Sequence, residues 1–423
     1  MREMKESGID WIGLMPEKWK VLPISSCFRE RNEKVSDFEW EPLSVTKQGI
    51  VKQLETAAKS DAHDARKKVC KNDFVINSRS DRKQSCGLSL YDGSVSLINI
   101  VLENKRLNNN YVKYLLKNYG FAEEFYRYGS GIVADLWSTN YQKMKKIMLP
   151  IPTESEQEKI AKLLDKKITE IDSIIEKTKE NIEDYKKYKE SMITKAVFDG
   201  LKTNCLKKES QIEWVDSIPS HWNEMRLKNK IYVRARLGWK GLKSEEYVEI
   251  GYPLLSAFNI INSKLDFSEV NYINKFRYDE SPEIKLSIGD ILLVKDGAGI
   301  GKCAIVEELP TESTVNGSIA LLTCDKTLNS KYLYYYFLSK NFQKYIDRLK
   351  DGMGIPHLFQ RDIKMIYLAI PPIEEQNEIV KYLENKCIEI DKLIENKEKI
   401  LDELEQYKKS LIYEYVTGKK EVV

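Results

Sequence analysis

Residues 77–85, Asn-Ser-Arg-Ser-Asp-Arg-Lys-Gln-Ser, follow an apolar strand-like run and crowd guanidinium, ammonium, amide and hydroxyl groups into one short stretch. Such groups suit nucleic acid. The Arg fork matches guanine O6 and N7, and Gln or Asn matches the adenine edge, while Lys and Ser reach phosphates. Arg79, Arg82, Lys83 and Gln84 are therefore candidate DNA contacts. A second stretch, Lys295 to Lys302, follows the apolar run Ile291–Val294 and adds Lys295 and Lys302. Earlier strand ends, Thr46-Lys47-Gln48 and Ser256-Ala257-Phe258-Asn259, offer Lys47 and Asn259. Late glycine loops, 129–135 and 352–361, bring His357, Gln360 and Arg361. Arg234 and Arg236, near Trp239-Lys240, form a fourth group. For any one of these residues, a solvated surface charge is the competing reading.

Catalytic patterns are weaker. The Asn/Asp-Pro-Pro-Tyr/Phe motif of amino-methyltransferases is absent. Gly297-Ala298-Gly299-Ile300-Gly301-Lys302 resembles a nucleotide loop, but Asp296 stands where a P-loop needs its first glycine and Cys303 where it needs Ser or Thr. The run Cys303–Val306 reads as a strand, so no helix N-terminus follows to receive a phosphate. Asp73 with Asp81-Arg82-Lys83 loosely mimics a nuclease triplet, a pattern that arises by chance in a chain with 31% charged residues. His63, His221 and His357 have no Ser or Cys partner by spacing, and seven scattered cysteines without a C-x-x-C pair make no zinc cluster. These features predict a reducing, cytoplasmic setting. The N-terminal residues carry no signal peptide, and no run is long enough for a membrane span.

The elements that must hold these loops are duplicated. Residues 151–197 and 370–416 align at a constant offset of 219 with 18 of 47 positions identical. Both copies open Ile-Pro, carry Glu-Gln (Glu156-Gln157, Glu375-Gln376) and reach Glu-Ile-Asp. Upstream, Trp11, Pro16 and Trp19 recur as Trp214, Pro219 and Trp222 at an offset of 203. A repeat this long is a duplicated unit rather than a solenoid. In the first helical copy Ile160, Leu164, Ile168, Ile171, Ile175, Thr178, Ile182 and Tyr185 step by four or three. The second copy has Ile379, Leu383, Cys387, Ile390, Ile394, Lys397, Leu401 and Leu404 at the same steps. The spacing averages 3.5, the coiled-coil period. Each helix needs a partner for its seam, and the other copy, antiparallel, is the simplest one; packing of each helix on its own body is the alternative. The bodies read as mixed α and β, with strands at 73–77, 94–98, 291–294 and 303–306 and single helices at 110–128 and 330–349. Net charge is +3 overall, but residues 20–150 carry +7 and 223–369 carry +3, while the helical repeats are acidic. A polyanion would meet the bodies.

The doubled Trp-x-Gly/Asp-x-x-Pro-x-x-Trp openings (Trp11, Gly13, Pro16, Trp19; Trp214, Asp216, Pro219, Trp222) and the two Ile-Pro-x-x-x-Glu-Gln helix starts make the chain resemble the specificity subunit of type I restriction–modification enzymes. The first helix start lacks the second proline often found in that family; the second has it, Pro371-Pro372. The resemblance implies an α+β architecture: two similar target-recognition domains, residues 1–150 and 202–369, joined by long helices, 151–201 and 370–423, in an antiparallel coiled coil with pseudo-two-fold duplication. It also implies a non-catalytic subunit that binds a bipartite, asymmetric double-stranded DNA site. Two methyltransferase subunits and restriction subunits would dock on it and use S-adenosylmethionine, ATP and magnesium; this chain would hold no cofactor, metal or membrane. A stand-alone nuclease or methyltransferase and a non-DNA coiled-coil scaffold are the competing readings.

Overall fold

The computed structural model describes residues 2–53, 65–131, 137–202, 204–236, 242, 244–351 and 357–422. Trp239, Lys240, His63 and the glycines 352 and 354 lie outside them. The chain divides into two compact units, 1–179 with 398–423, and 180–397. The boundary falls inside both long helices. Sequence repeats mark four segments; packing instead groups each body with the start of the helix that follows it and the end of the other long helix.

In the first unit a four-stranded antiparallel sheet runs Cys86–Leu88, Phe74–Asn77, Asn99–Asn104, Phe28–Glu30. In the second the same order is Cys303–Ile305, Ile291–Val294, Ile319–Cys324, Ile231–Arg234. The Phe74–Asn77 and Ile291–Val294 strands are buried at every position, which is why both read as continuous apolar runs rather than alternating ones. Each body closes with a short ribbon. Lys20–Pro23 pairs with Met148–Ile151, and Asn223–Arg226 with Tyr367–Ile370. The second body adds a sheet of Tyr247–Val248, Asn271–Ile273, Tyr252–Leu255 and Thr314–Val315.

Three local expectations need correction. The strand at 94–98 is Gly93–Ser96; Leu97 and Ile98 turn outward into the next strand. The helix at 110–128 is two, Asn109–Leu115 and Tyr119–Arg127, and the helix at 330–349 is likewise Ser330–Leu338 and Lys340–Asp351. Both breaks have a polar cause. Asn118 accepts the N–H of Phe121 and so starts a new helix, and the Ser339 hydroxyl donates to the Tyr336 carbonyl. Short polar side chains compete with the helix ladder in this way.

The long helices are Glu154–Asp199 and Ile373–Val416. At 46 residues the first is about 69 Å long. Within each unit their segments run antiparallel. Lys408 pairs with Asp172 in the first unit, and Lys189 with Asp391 at 2.6 Å in the second. Both pairs sum to 580, and each is the other displaced by 219. The seam is covered: Ile160, Leu164, Ile171, Ile175, Thr178, Ile182, Ile379, Leu383, Cys387 and Ile390 are buried. Both packing readings hold in part, because Ile160 and Leu164 join the first body's core together with Leu411 and Val416 of the other helix.

The repeated motif has a physical reading. Gln157 accepts the Asn108 N–H at 2.8 Å and donates to the Pro152 carbonyl. Gln376 does the same with Asn329 and Pro371. Asn108 and Asn329 in turn cap the helices that begin at Asn109 and Ser330. The buried Tyr111 hydroxyl is shared between the carbonyls of Pro150 and Val416, and that of Tyr332 between those of Ala369 and Val197. Burial pushes both phenols well above their ordinary pKa, so they remain donors. Each tyrosine thus ties its body's last strand to the end of the other long helix. Those ends close on left-handed glycines: Gly200 (φ +72°) lies against Trp222, and Gly418 (φ +77°) against Pro16 and Trp19. A Cβ at Gly418 would sit 2.3 Å from Pro16 Cδ. Gly418→Val should therefore lower stability by ~2 kcal/mol or more, from left-handed strain plus overlap, read as a fall in melting temperature. Gly317→Val, where a Cβ meets nothing within 4 Å, is the control.

Candidate nucleic-acid interface

In the first unit the buried central strand ends at Asn77, whose carboxamide accepts the Arg79 N–H at 3.1 Å. A single 3-10 turn, Ser80–Arg82, follows, and Gln84 takes a left-handed φ of 61° before the chain re-enters the sheet. The loop is closed by Asn77 N–H to Ser85 O and Ser85 N–H to Arg82 O. Arg79 is exposed and its guanidinium has no partner among the described residues. Arg82 is 68% exposed and, among the described residues, has Asp81 as its ion-pair partner at 3.5 Å. Lys83 is engaged by Glu123 at 2.6 Å and lies over the Tyr126 ring.

The Thr46–Gly49 turn lies beside this loop. A Cβ on Gly87 would come within 2.9 Å of Gly49 Cα, so glycine at 87 permits the approach. Together they form a cleft of about 550 Å³ lined by Val45, Thr46, Lys47, Gln48, Asp81, Arg82 and Ser85. The structure thus brings Lys47 and Arg82 together from stretches far apart in sequence. The backbone of Arg79 also bridges Ser138, joining the late loop to the same edge.

In the second unit the equivalent edge is the turn 295–302. It is a tight hairpin: Ile300 N–H bonds Gly297 O and Gly301 N–H bonds Val294 O, and the strand Cys303–Ile305 follows directly. No helix follows the glycines. Burial pushes the Cys303 thiol up to about 12, so it is not a nucleophile. Lys302 is exposed. Lys295 is largely buried and bound to Asp296 at 2.7 Å, and Asp296 also holds His357. Gln360 is half-buried at the start of a short helix, Gln360–Met365. The exposed Arg361 stacks over Phe359. The Arg236 Nε is buried without a partner among the described residues.

Two candidates leave the surface. The Arg234 guanidinium bonds Asp290 at 2.5 Å, Thr323 Oγ1 and the Lys285 carbonyl, and Asp290 is 1% exposed. Arg234 neutralises a buried carboxylate and has little left to offer a base. The first body shows the same device: Arg31 grips Asp73 at 2.7 Å, and that bond raises the guanidinium pKa. Asp73 is thus a core anion rather than a metal ligand. Asn259 is also buried, bonding its own turn through Ser256 N and the carbonyls of Asp266 and Glu269. Arg31 went unnoticed in the sequence, although it lies 203 residues before Arg234, the offset of the tryptophan motifs. Among the described residues no cluster of three or more His, Cys, Asp or Glu could hold a metal, and no helix is long and apolar enough to cross a membrane.

Residues 219–406 match the family model described as type I restriction modification DNA specificity domain. The chain is 24% identical over 399 residues to the putative type I restriction enzyme MjaX specificity subunit of Methanocaldococcus jannaschii, covering 88% of each chain. It is 25% identical over 416 residues to the EcoKI specificity subunit of Escherichia coli, covering 88% of this chain and 82% of that one. A chain solved in work on assembly and conformational transition of the type I R-M system superposes with a TM-score of 0.73 at 14% identity, covering 96% of this chain and 99% of that one. The HsdS subunit of Thermoanaerobacter tengcongensis gives 0.54 at 15% identity, with 98% and 100% covered. Over most of its length the chain is similar to type I restriction–modification specificity subunits. In this chain the two bodies share a sheet and differ in their loops, so the loop cations and the core cations must be told apart by experiment. Arg234→Ala should cost about 3–5 kcal/mol by stranding Asp290, whereas Arg79→Ala, at an exposed site, should stay within about 0.5 kcal/mol. Denaturant unfolding of the two variants measures both.

Proposed function

We propose that this chain is a specificity subunit that recognises a bipartite, asymmetric site in double-stranded DNA, one half-site per body, and has no catalysis of its own. One observation carries the reading. The same four-stranded sheet occurs twice, on a repeated helical frame, with unlike polar groups at the same loop edge: Lys47, Arg79 and Arg82 in one body, Lys302, His357 and Arg361 in the other. A symmetric dimer needs a palindrome; two different loop sets on one duplicated frame suit two different half-sites. Methyltransferase subunits, two per chain, would dock on the long helices and use S-adenosylmethionine, and restriction subunits would use ATP and magnesium. The target adenine would leave the duplex for a partner's pocket, while this chain holds the flanking bases. The competing enzymatic readings lose Asp73 to its bond with Arg31 and the glycine loop to its hairpin.

Gel shifts of the full chain on random-sequence duplex, with and without a co-expressed methyltransferase subunit, test this directly. Arg79→Ala with Arg82→Ala should weaken binding and lower the slope of log affinity against log salt by up to about 2. Cleavage or methylation by the purified chain alone would refute the division of labour. Methylome sequencing after exchanging residues 20–150 for those of a relative should change one half-site and leave the other intact. Removing seven residues, on the order of 10 Å, from both long helices should keep the seam in register, preserve both half-sites and shorten the spacer between them.

A further inference from the structure

The two bodies place one backbone bridge at the same point of the fold. Arg79, two residues past its central strand, bridges Ser138; Asp296, two residues past the equivalent strand, bridges His357. Asp296 lies 217 residues after Arg79, and His357 lies 219 after Ser138, so the bridges correspond. Their side chains differ in kind. At the first bridge the Arg79 guanidinium is exposed and without a partner among the described residues. At the second, both carboxylate oxygens of Asp296 are taken. Lys295 Nζ meets Oδ2 at 2.7 Å, and His357 Nδ1 meets Oδ1. A further rung, Leu358 N–H to Lys295 O at 2.8 Å, fixes the backbone. The Phe359 ring stands edge-on to the imidazole at 4.1 Å. The His357 side chain is one-third exposed, and its Nε2 has no hydrogen-bond partner among the described residues.

A carboxylate accepts and cannot donate, so the proton of this contact sits on Nδ1. In a neutral imidazole that leaves Nε2 as a bare acceptor, its tautomer set by the carboxylate behind it. We propose that His357 reads a base of the second half-site, its Nε2 accepting a hydrogen bond from the exocyclic amino group of adenine (N6) or cytosine (N4). Asp296 is the positioning residue that sets the tautomer. The inference rests on the DNA-recognition reading above and assigns a base chemistry within it. In the first body the same fold position carries Arg79, a donor suited to guanine O6 and N7. One duplicated bridge thus carries opposite hydrogen-bonding senses in the two half-sites.

The test selects duplexes from a random-sequence pool with the full chain in complex with its methyltransferase subunits. Wild type, His357→Leu and Asp296→Asn are compared, with melting temperature as the folding control. Wild type should give a two-part consensus with adenine or cytosine at one position of the second half. His357→Leu should make that position degenerate, with discrimination falling roughly five- to hundredfold, and leave the first half unchanged. In Asp296→Asn, Lys295 keeps the amide oxygen, so the amide NH₂ faces Nδ1 and the ring proton moves to Nε2. Preference at the same position should then switch to guanine or thymine, whose carbonyl oxygens accept. A clasp with only a structural role would weaken the whole half-site without changing any base. A consensus identical in all three proteins, uniform weakening, or guanine or thymine selected by wild type at the position His357 controls overturns the inference. Failure of wild type to select any consensus instead overturns the recognition reading on which it rests. If Asp296→Asn does not fold, His357→Leu decides alone.

Discussion

A helix of 46 residues with one apolar stripe cannot leave water by itself. Everything else in this chain follows from how that stripe is covered. Each long helix takes its cover from its own body in its first turns and from the other helix beyond them, and it finishes against the tryptophan opening of the other unit's body. The contacts that enforce this are few and occur twice. A buried glutamine locks the helix start to a body helix, a buried tyrosine hydroxyl locks the other helix's end to the body's last strand, and a left-handed glycine lets that end reach a tryptophan. A buried glutamine without its partners would strand polar groups at a cost of about 1–3 kcal/mol each. These contacts therefore act as constraints on geometry as much as sources of stability.

This arrangement separates two kinds of residue. The frame is made by groups whose hydrogen bonds are complete inside the protein, such as Gln376, Tyr332 and the Arg234–Asp290 pair. The loop edge is made by groups without side-chain partners among the described residues, such as Arg79, Lys302 and the outer nitrogen of His357. Drift is costly in the first set and cheap in the second. Two bodies of one origin can therefore keep one sheet while their loops diverge.

How much of this was legible in the sequence depended on range. The seam was legible because a period of 3.5 is written in neighbours three and four apart, and of the positions it marks Ile160, Leu164, Ile171, Ile175, Thr178 and Ile182 are buried and Ile168 partly so. The duplication was legible because frame residues repeat at fixed offsets. The helix breaks at Asn118 and Ser339 were missed because aromatic spacing continues through them, and only the capping geometry reveals the interruption. Arg234 and Asn259 were misplaced for a different reason. An arginine at a strand end looks alike whether it faces solvent or a carboxylate brought in from Asp290, far along the chain. Composition cannot distinguish these, because the deciding partner is set by the tertiary fold.

The two compact units are not equivalent along the chain. The second is one continuous stretch, residues 180–397, whereas the first needs residues 1–179 and also 398–423. Leu411 and Val416 complete the first unit's core, Tyr413 donates to the Trp11 carbonyl, and Arg2 bonds the carbonyl of Lys420. Its closing contacts thus join residues some 400 positions apart, and the earlier partners must wait for the later ones to be translated. At about 5–20 residues per second, the first body leaves the ribosome tens of seconds before its final helix does. Although synthesised first, it is the later of the two to have all its core residues available, and until then it lacks Gly418, which lies against Trp19. The order in which the two bodies are synthesised is therefore the reverse of the order in which their cores can be completed.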